Sequence, residues 1–117
     1  MILFREEHVF AILTGAKTQT RRIWAKPRAR VGSLHLAKTK MLSTDYFARL
    51  HILAVYPEEL GQISEDDAIA EGYRDRESYL AAFFRINRIQ ERDRAAWLLR
   101  PVYVVKFEVS YVDVEAA

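Results

Sequence analysis

At 117 residues, half of them hydrophobic and few of them glycine or proline, the chain fits one folded domain with a single core and is too short for two. It contains no cysteine, which excludes disulfides, thiolate metal sites and cysteine nucleophiles together. The net charge is only +2, so the arrangement of charge says more than its total.

The histidines His8, His35 and His51 are scattered without ligand spacing, so no metal site and no other cofactor is expected. No apolar run approaches the length of a membrane span. The N-terminal Met-Ile-Leu-Phe-Arg-Glu-Glu reaches acid before it can build the apolar core of a signal peptide. A cytoplasmic location is the expectation.

Ile2 to Phe4 reads as a short strand. Glu6 to Leu13 follows as a helix, with Val9, Ile12 and Leu13 on one face and glutamates in the first turn. Gly15 is placed to end it in the left-handed conformation. Thr18 to Trp24 alternates as a strand, with Thr18, Thr20 and Arg22 on one face and Gln19 and Arg21 on the other. Ala25 to Arg30 is a basic loop, and Val31-Gly32 turns into a strand over Ser33 to Lys38.

A polar connection leads to the longest strand, Tyr46 to Tyr56, ending at Pro57. One of its faces carries Tyr46, Ala48, Leu50, Ile52, Ala54 and Tyr56. Ser64-Glu-Asp-Asp67 opens a helix that should stop near Gly72. Asp75 caps a second, running to about Ile89, in which Tyr79, Leu80, Phe83 and Ile86 form a core stripe. Gln90 to Arg94 is charged and exposed, and Val102 to Val112 alternates as a half-buried strand. Five strands and three helices in irregular order predict an α+β domain, most simply a small, partly open barrel with helices closing its ends.

The chemistry concentrates in one stretch. From Lys17 to Lys40 there are eight Lys or Arg residues and no Asp or Glu, while an acidic block lies between Glu58 and Glu77. The basic block reads as a phosphate-binding surface with Trp24 for stacking a base, or as a solvated face with Trp24 in the core. Lys17 and Thr20 suit an activated nucleophile if the lysine loses its proton readily; otherwise they are an ordinary turn and strand. An ideal strand points the two apart, so they converge only if Lys17 belongs to the turn after Gly15 or a bulge intervenes. Glu71 sits at a helix C-terminus, where the dipole disfavours an acid; a catalytic role or an ion pair with arginine would account for it.

These residues resemble the ASCH domain of the PUA-like superfamily, whose signature is Gly-x-Lys-x-x-Glu-x-Arg after a short helix. Here it reads Gly15-Ala-Lys17-Thr-Gln-Thr20-Arg-Arg22, with Thr20 in place of the glutamate. Arg30-Val-Gly32, the Leu60 to Gly72 region and Pro101 to Glu108 extend the resemblance over nearly the whole chain. It implies a single domain over residues 1–117, a small mixed barrel flanked by helices. It also implies a cleft for RNA or a modified nucleoside, lined by Gly15, Lys17, Thr18, Arg21, Arg22, Trp24, Arg28 and Arg30. One branch of the family looks like a metal-independent amidohydrolase of N4-acetylcytidine and has threonine at the position of Thr20. That branch implies Lys17 as base, Thr20 as nucleophile and Glu71 as orienting or proton-transfer group. A third reading is a protein-interaction domain whose basic face meets an acidic partner.

Overall fold

A computed structural model of the chain describes residues 1–111. Its strands are β1 (Ile2–Leu3), β2 (Gln19–Arg22), β3 (Leu34–Lys38), β4 (Ala48–Glu59) and β5 (Pro101–Tyr111). They form one mixed sheet in the order β1-β3-β4-β5-β2, with β1 and β3 parallel and the other pairs antiparallel.

The sheet curls on itself. Strands β1 and β2 are its two edges, yet Arg22 on β2 donates through Nη2 to the Leu3 carbonyl on β1 at 2.6 Å. Strand twist brings the edges round, and a side chain spans the gap where a backbone ladder would close the barrel. The architecture is α+β, a partly open five-stranded barrel with flanking helices, as the order of elements predicts. None of the helices among the described residues is long and apolar enough to cross a membrane.

The helices are α1 (Val9–Leu13), α2 (Glu65–Ala70), α3 (Arg76–Ile86) and α4 (Arg94–Trp97). The expected caps form. Ser64 Oγ accepts from the Asp67 amide at the start of α2, and Asp75 and Ser78 make a reciprocal capping box on α3. Gly15 and Gly72 take φ of +81° and +97°, so each ends its helix in the region that side chains with a Cβ avoid.

Six expectations need correction. The first helix is split: Glu6–His8 is a 3-10 turn, α1 is a short continuation, and Ile12 is the fully buried member of its stripe. Strand β4 does not stop at Tyr56 but runs through Pro57 to Glu59. Its pairing with β3 covers only Ala48 to His51, so Pro57 has a partner strand on one side alone, and a residue without an N–H is tolerated on an open edge.

The single alternating face of β4 is also broken. Leu53 is an extra residue between the pairs Ile52↔Phe107 and Ala54↔Lys106, and beyond this bulge Val55, not Ala54, packs on the core. Strand β5 alternates as expected in its second half, where Phe107 is buried and Glu108 and Ser110 are exposed, but near its start Val102, Val104 and Val105 are all buried, because the helical cluster covers the second face there. The helix from Asp75 ends at Ile86, followed by Arg88 at φ +56°, and α4 forms where no helix was expected. Val112, at the end of the expected last strand, lies outside the described residues.

Two apolar clusters result. One fills the barrel, with Ile2, Phe4, Ile12, Leu50, Ile52, Val105 and Phe107. The other joins α2 and α3 to the far end of the sheet, with Leu60, Ile63, Tyr79, Leu80, Phe83 and Val102. Strand β5 belongs to both, and the candidate site lies at the seam between them.

Candidate ligand-binding site

The signature stretch begins where α1 ends. The Lys17 amide donates to Ala11 O and the Thr18 amide to Ala70 O, which ties the turn after Gly15 to the ends of α1 and α2. Lys17 therefore lies in that turn, ahead of β2, as its convergence with later residues requires. Its ammonium is buried and fully used: Nζ donates to Gln19 O, Glu71 O and Glu71 Oε1, each at 2.9 Å. Burial lowers its pKa, Glu71 works against that shift, and Arg22 and Arg21 reinforce it.

Glu71 is the C-terminal cap of α2 and is also buried. Its second oxygen accepts from Arg21 Nη1 at 2.9 Å, so one carboxylate bridges two cations. That bridge explains an acid at a helix end, where the dipole alone would disfavour it. Arg21 uses all five N–H groups: Nε and Nη2 reach Glu58 Oε1, Nη2 also reaches Asp67, and Nη1 reaches Gln19 as well as Glu71. Burial opposes its charge, and Glu71 foremost outweighs this and raises its pKa. The acidic block between Glu58 and Glu77 thus closes on the basic motif at Arg21.

Arg22 differs. Its Nε donates to Thr20 Oγ1 at 3.0 Å, its Nη2 donates to Leu3 O, and its guanidinium lies 4.9 Å from the Phe4 ring centre. Among the described residues no carboxylate lies within ion-pair distance of it, and Nη1 has no hydrogen-bond partner. Burial lowers its pKa, with Glu71 opposing. The sharing of faces along β2 follows the expected alternation: Thr20 pairs with Arg22, and Gln19 with Arg21.

These groups surround a cavity of about 130 Å³. The barrel side contributes Leu3, Phe4, Thr20 and Arg22, and the helical side contributes Tyr73, Tyr79, Phe83, Ile86 and Asn87. Lys17, Arg21 and Glu71 lie where the two sides meet, and Arg5 and His8 come from the segment before α1. Lys17, Thr20 and Glu71 thus share one cavity. Lys17 and Glu71 are in direct contact, whereas the Thr20 hydroxyl is bonded to Arg22 and not to Lys17.

The remaining expected ligand residues lie elsewhere. Arg21 is committed to carboxylates and has no N–H left for a phosphate. Gly15 and Thr18 are exposed and line a separate groove beside Phe107. Trp24 is half-buried against the barrel core, its ring centre 6.2 Å from that of Tyr103. Arg28 and Arg30 are exposed and do not line the cavity. The sequence did not reveal the aromatic wall: Tyr79 and Phe83 read as core, Phe4 as the end of a short strand, and Tyr73 carried no signal of its own. It noticed the acidic block only as a charge offset, though an acid block opposite a basic one is a signal for pairing.

His8 and Tyr73 form a further contact at the cavity, Nε2 to hydroxyl at 3.0 Å. Burial lowers the His8 pKa to about 4, with Lys17, Arg22 and Arg5 adding to the shift and Glu7 opposing it. In the unfolded chain the ring titrates near 6.5, so between these values the unfolded state binds the proton and the folded state does not. Stability present above pH 6.5 is therefore lost as pH falls toward 4, by about 1–2 kcal/mol after allowance for solvent screening. Urea unfolding across that window is expected to show this slope, and His8→Gln, which has no titrating ring, to remove it. An equal slope in the variant would exclude His8 as its source.

The sequence matches no family model and no curated protein. Solved structures do share the fold. The chain superposes on protein EF3133 from Enterococcus faecalis V583, of family DUF984, with a TM-score of 0.69 and 14% identity, over 97% of this chain and 84% of that one. It matches an ASCH domain from Lactobacillus crispatus JV V101 with a TM-score of 0.58 and 19% identity, over 86% and 69% of the two chains. A mutant of ZmASCH from Zymomonas mobilis gives a TM-score of 0.51 and 11% identity, over 92% and 66%. A curled five-stranded sheet with helices packed at one end, and structural neighbours that include ASCH domains, agree: the chain has the ASCH-domain fold.

Proposed function

We propose that the cavity binds a single nucleoside, either free or as an unstacked, modified base of RNA. The observation that carries this reading is Arg22. It is a largely buried cation held by Thr20 and Leu3, with no carboxylate in contact among the described residues, beside a cavity walled by aromatic rings. A planar heterocycle with a carbonyl acceptor matches both features: the rings suit its faces, and the guanidinium suits its oxygen. The volume is close to the roughly 150 Å³ of a cavity that accommodates benzene, so it has room for one ring and not for a run of nucleotides.

Calorimetric titration with cytidine, N4-acetylcytidine and a short single-stranded RNA tests the proposal. Saturable binding of at least one nucleoside is expected. Folded protein that binds none of the three would reject it.

A second reading, hydrolysis of an N4-acyl group, is favoured by one observation: Lys17, Thr20 and Glu71 line the same cavity. On this reading Thr20 Oγ attacks the acyl carbonyl carbon and its proton passes to the Lys17–Glu71 pair. The C–N bond breaks, the amine leaves with a proton, and water then hydrolyses the threonine ester to acetate and free Thr20. The reaction requires the Lys17 amine to give up one of its three contacts and turn toward Thr20. Incubation with N4-acetylcytidine, followed by chromatography for cytidine and acetate, separates this reading from simple binding. Saturable binding without release of acetate would leave a binding module.

A further inference from the structure

Tyr79 looks like a core residue and behaves like one everywhere except at its hydroxyl. It is 4% exposed, belongs to the helical cluster, and packs its ring 5.5 Å from Tyr73 and 6.2 Å from Phe83, measured between centres. Phenylalanine would fill the same space. The hydroxyl has no hydrogen-bond partner among the described residues, so it contributes no bond to the fold. It is not sealed in either: none of the described side-chain polar atoms is both fully buried and unpartnered, so this one keeps access to open space. The space it meets is the cavity that Tyr79 lines.

Arg22 lines the same cavity, and its Nη1 is a second donor without a hydrogen-bond partner among the described residues. The two groups lie within electrostatic range of each other. Burial, with Glu71 beside it, raises the Tyr79 pKa well above its ordinary value, so the phenol keeps its proton and remains a donor. Two donors, neither with a protein acceptor, open on a volume that holds one small group.

We propose that the Tyr79 hydroxyl and Arg22 Nη1 form a two-donor site for one oxygen atom of the ligand, a carbonyl or a carboxylate oxygen. On the nucleoside reading, on which the ligand's identity rests, that atom is an exocyclic carbonyl oxygen of the base or its acyl group. Tyr79 is then a binding residue contributed by α3, a helix outside the signature stretch.

The test uses Tyr79→Phe in the full chain. The hydroxyl has no hydrogen-bond partner among the described residues, so its removal is expected to leave the melting temperature unchanged or slightly raised, while nucleoside affinity falls about three- to tenfold. A lowered melting temperature would reveal a structural partner for the hydroxyl and overturn the proposal. Unchanged nucleoside affinity in Tyr79→Phe, with binding intact in the wild type, would overturn it and leave the nucleoside reading standing. Acetate and acetamide provide an arm independent of that reading, followed through the Arg22 Nε–H resonance by NMR. Acetate as the better probe marks a carboxylate site, and acetamide as the better probe a carbonyl site. Either should perturb the resonance in the wild type and do so more weakly in Tyr79→Phe. If neither does, the two-donor site does not exist, whatever the nucleosides do.

Discussion

Glu71→Gln is expected to lower the melting temperature by on the order of 10 °C or more, the largest loss from any single substitution in the site. The carboxylate accepts from both Lys17 and Arg21, at 2.9 Å each, and all three side chains are buried. An amide has one acceptor oxygen and one donor nitrogen, so whichever cation meets the nitrogen faces a like polarity with no water to relieve it. Breaking a buried pair in this way costs about 3–5 kcal/mol, because the charge left behind remains desolvated. Arg21 retains Glu58 and Asp67, whereas Lys17 has no other carboxylate in contact among the described residues, so most of the loss falls on the lysine. The double variant Lys17→Met/Glu71→Gln is accordingly expected to lose less than the sum of its two single losses, since it removes the stranded charge together with its partner. Thermal melts of the four proteins in the cycle provide the check. A Glu71→Gln melting temperature within about 2 °C of the wild type would show that the bridge contributes little to stability.

The second large effect is on binding. Arg22→Gln is expected to weaken nucleoside affinity by about 10–100-fold, the range for losing a charge-assisted hydrogen bond in a desolvated site. Its contribution to the fold is smaller, because what it gives up there is the bond to Leu3 O, the bond to Thr20 and the contact with Phe4, none of them an ion pair. The comparison with Arg28 and Arg30 is the informative one. Both are exposed and outside the cavity, so charge reversal at either should leave affinity for a free nucleoside within about twofold and act on RNA alone, through a shallower salt dependence. Calorimetry on folded Arg22→Gln that returned wild-type affinity would remove the residue on which the functional proposal stands.

The motif separates into parts that no inspection of spacing distinguishes. Lys17, Arg21 and Arg22 read alike as basic residues near a glycine turn. In the folded protein Lys17 is neutralised by Glu71, Arg21 is shared among three carboxylates, and Arg22 has no carboxylate in contact among the described residues. Strand alternation already put Arg21 and Arg22 on opposite faces of β2. Which face would meet Glu58 and Asp67 depended on β4 and α2, whose acids arrive from 37 and 46 positions along the chain.

Local physics was mostly legible, the 3-10 turn Glu6–His8, the end of α3 and the short α4 excepted. Gly15 and Gly72 end their helices because each follows the last helical turn and takes a positive φ, and Ser64 and Asp75 cap theirs because a short polar side chain precedes a helical run. The five strands and the α+β class follow from period and composition, which short-range sterics enforce. What failed was whatever a second layer decides. The start of β5 lost its solvent face to the helical cluster, β4 passed Pro57 because β3 is too short to pair there, and a bulge at Leu53 moved Val55 onto the core. By itself, the sequence determined most of the turns and elements, all five strands among them, since those are settled within a few residues. Only the tertiary structure decided that Glu71 lies between two cations and that Tyr79 keeps an unpartnered hydroxyl at the seam of two cores, because pairing and burial depend on groups brought together from distant parts of the chain.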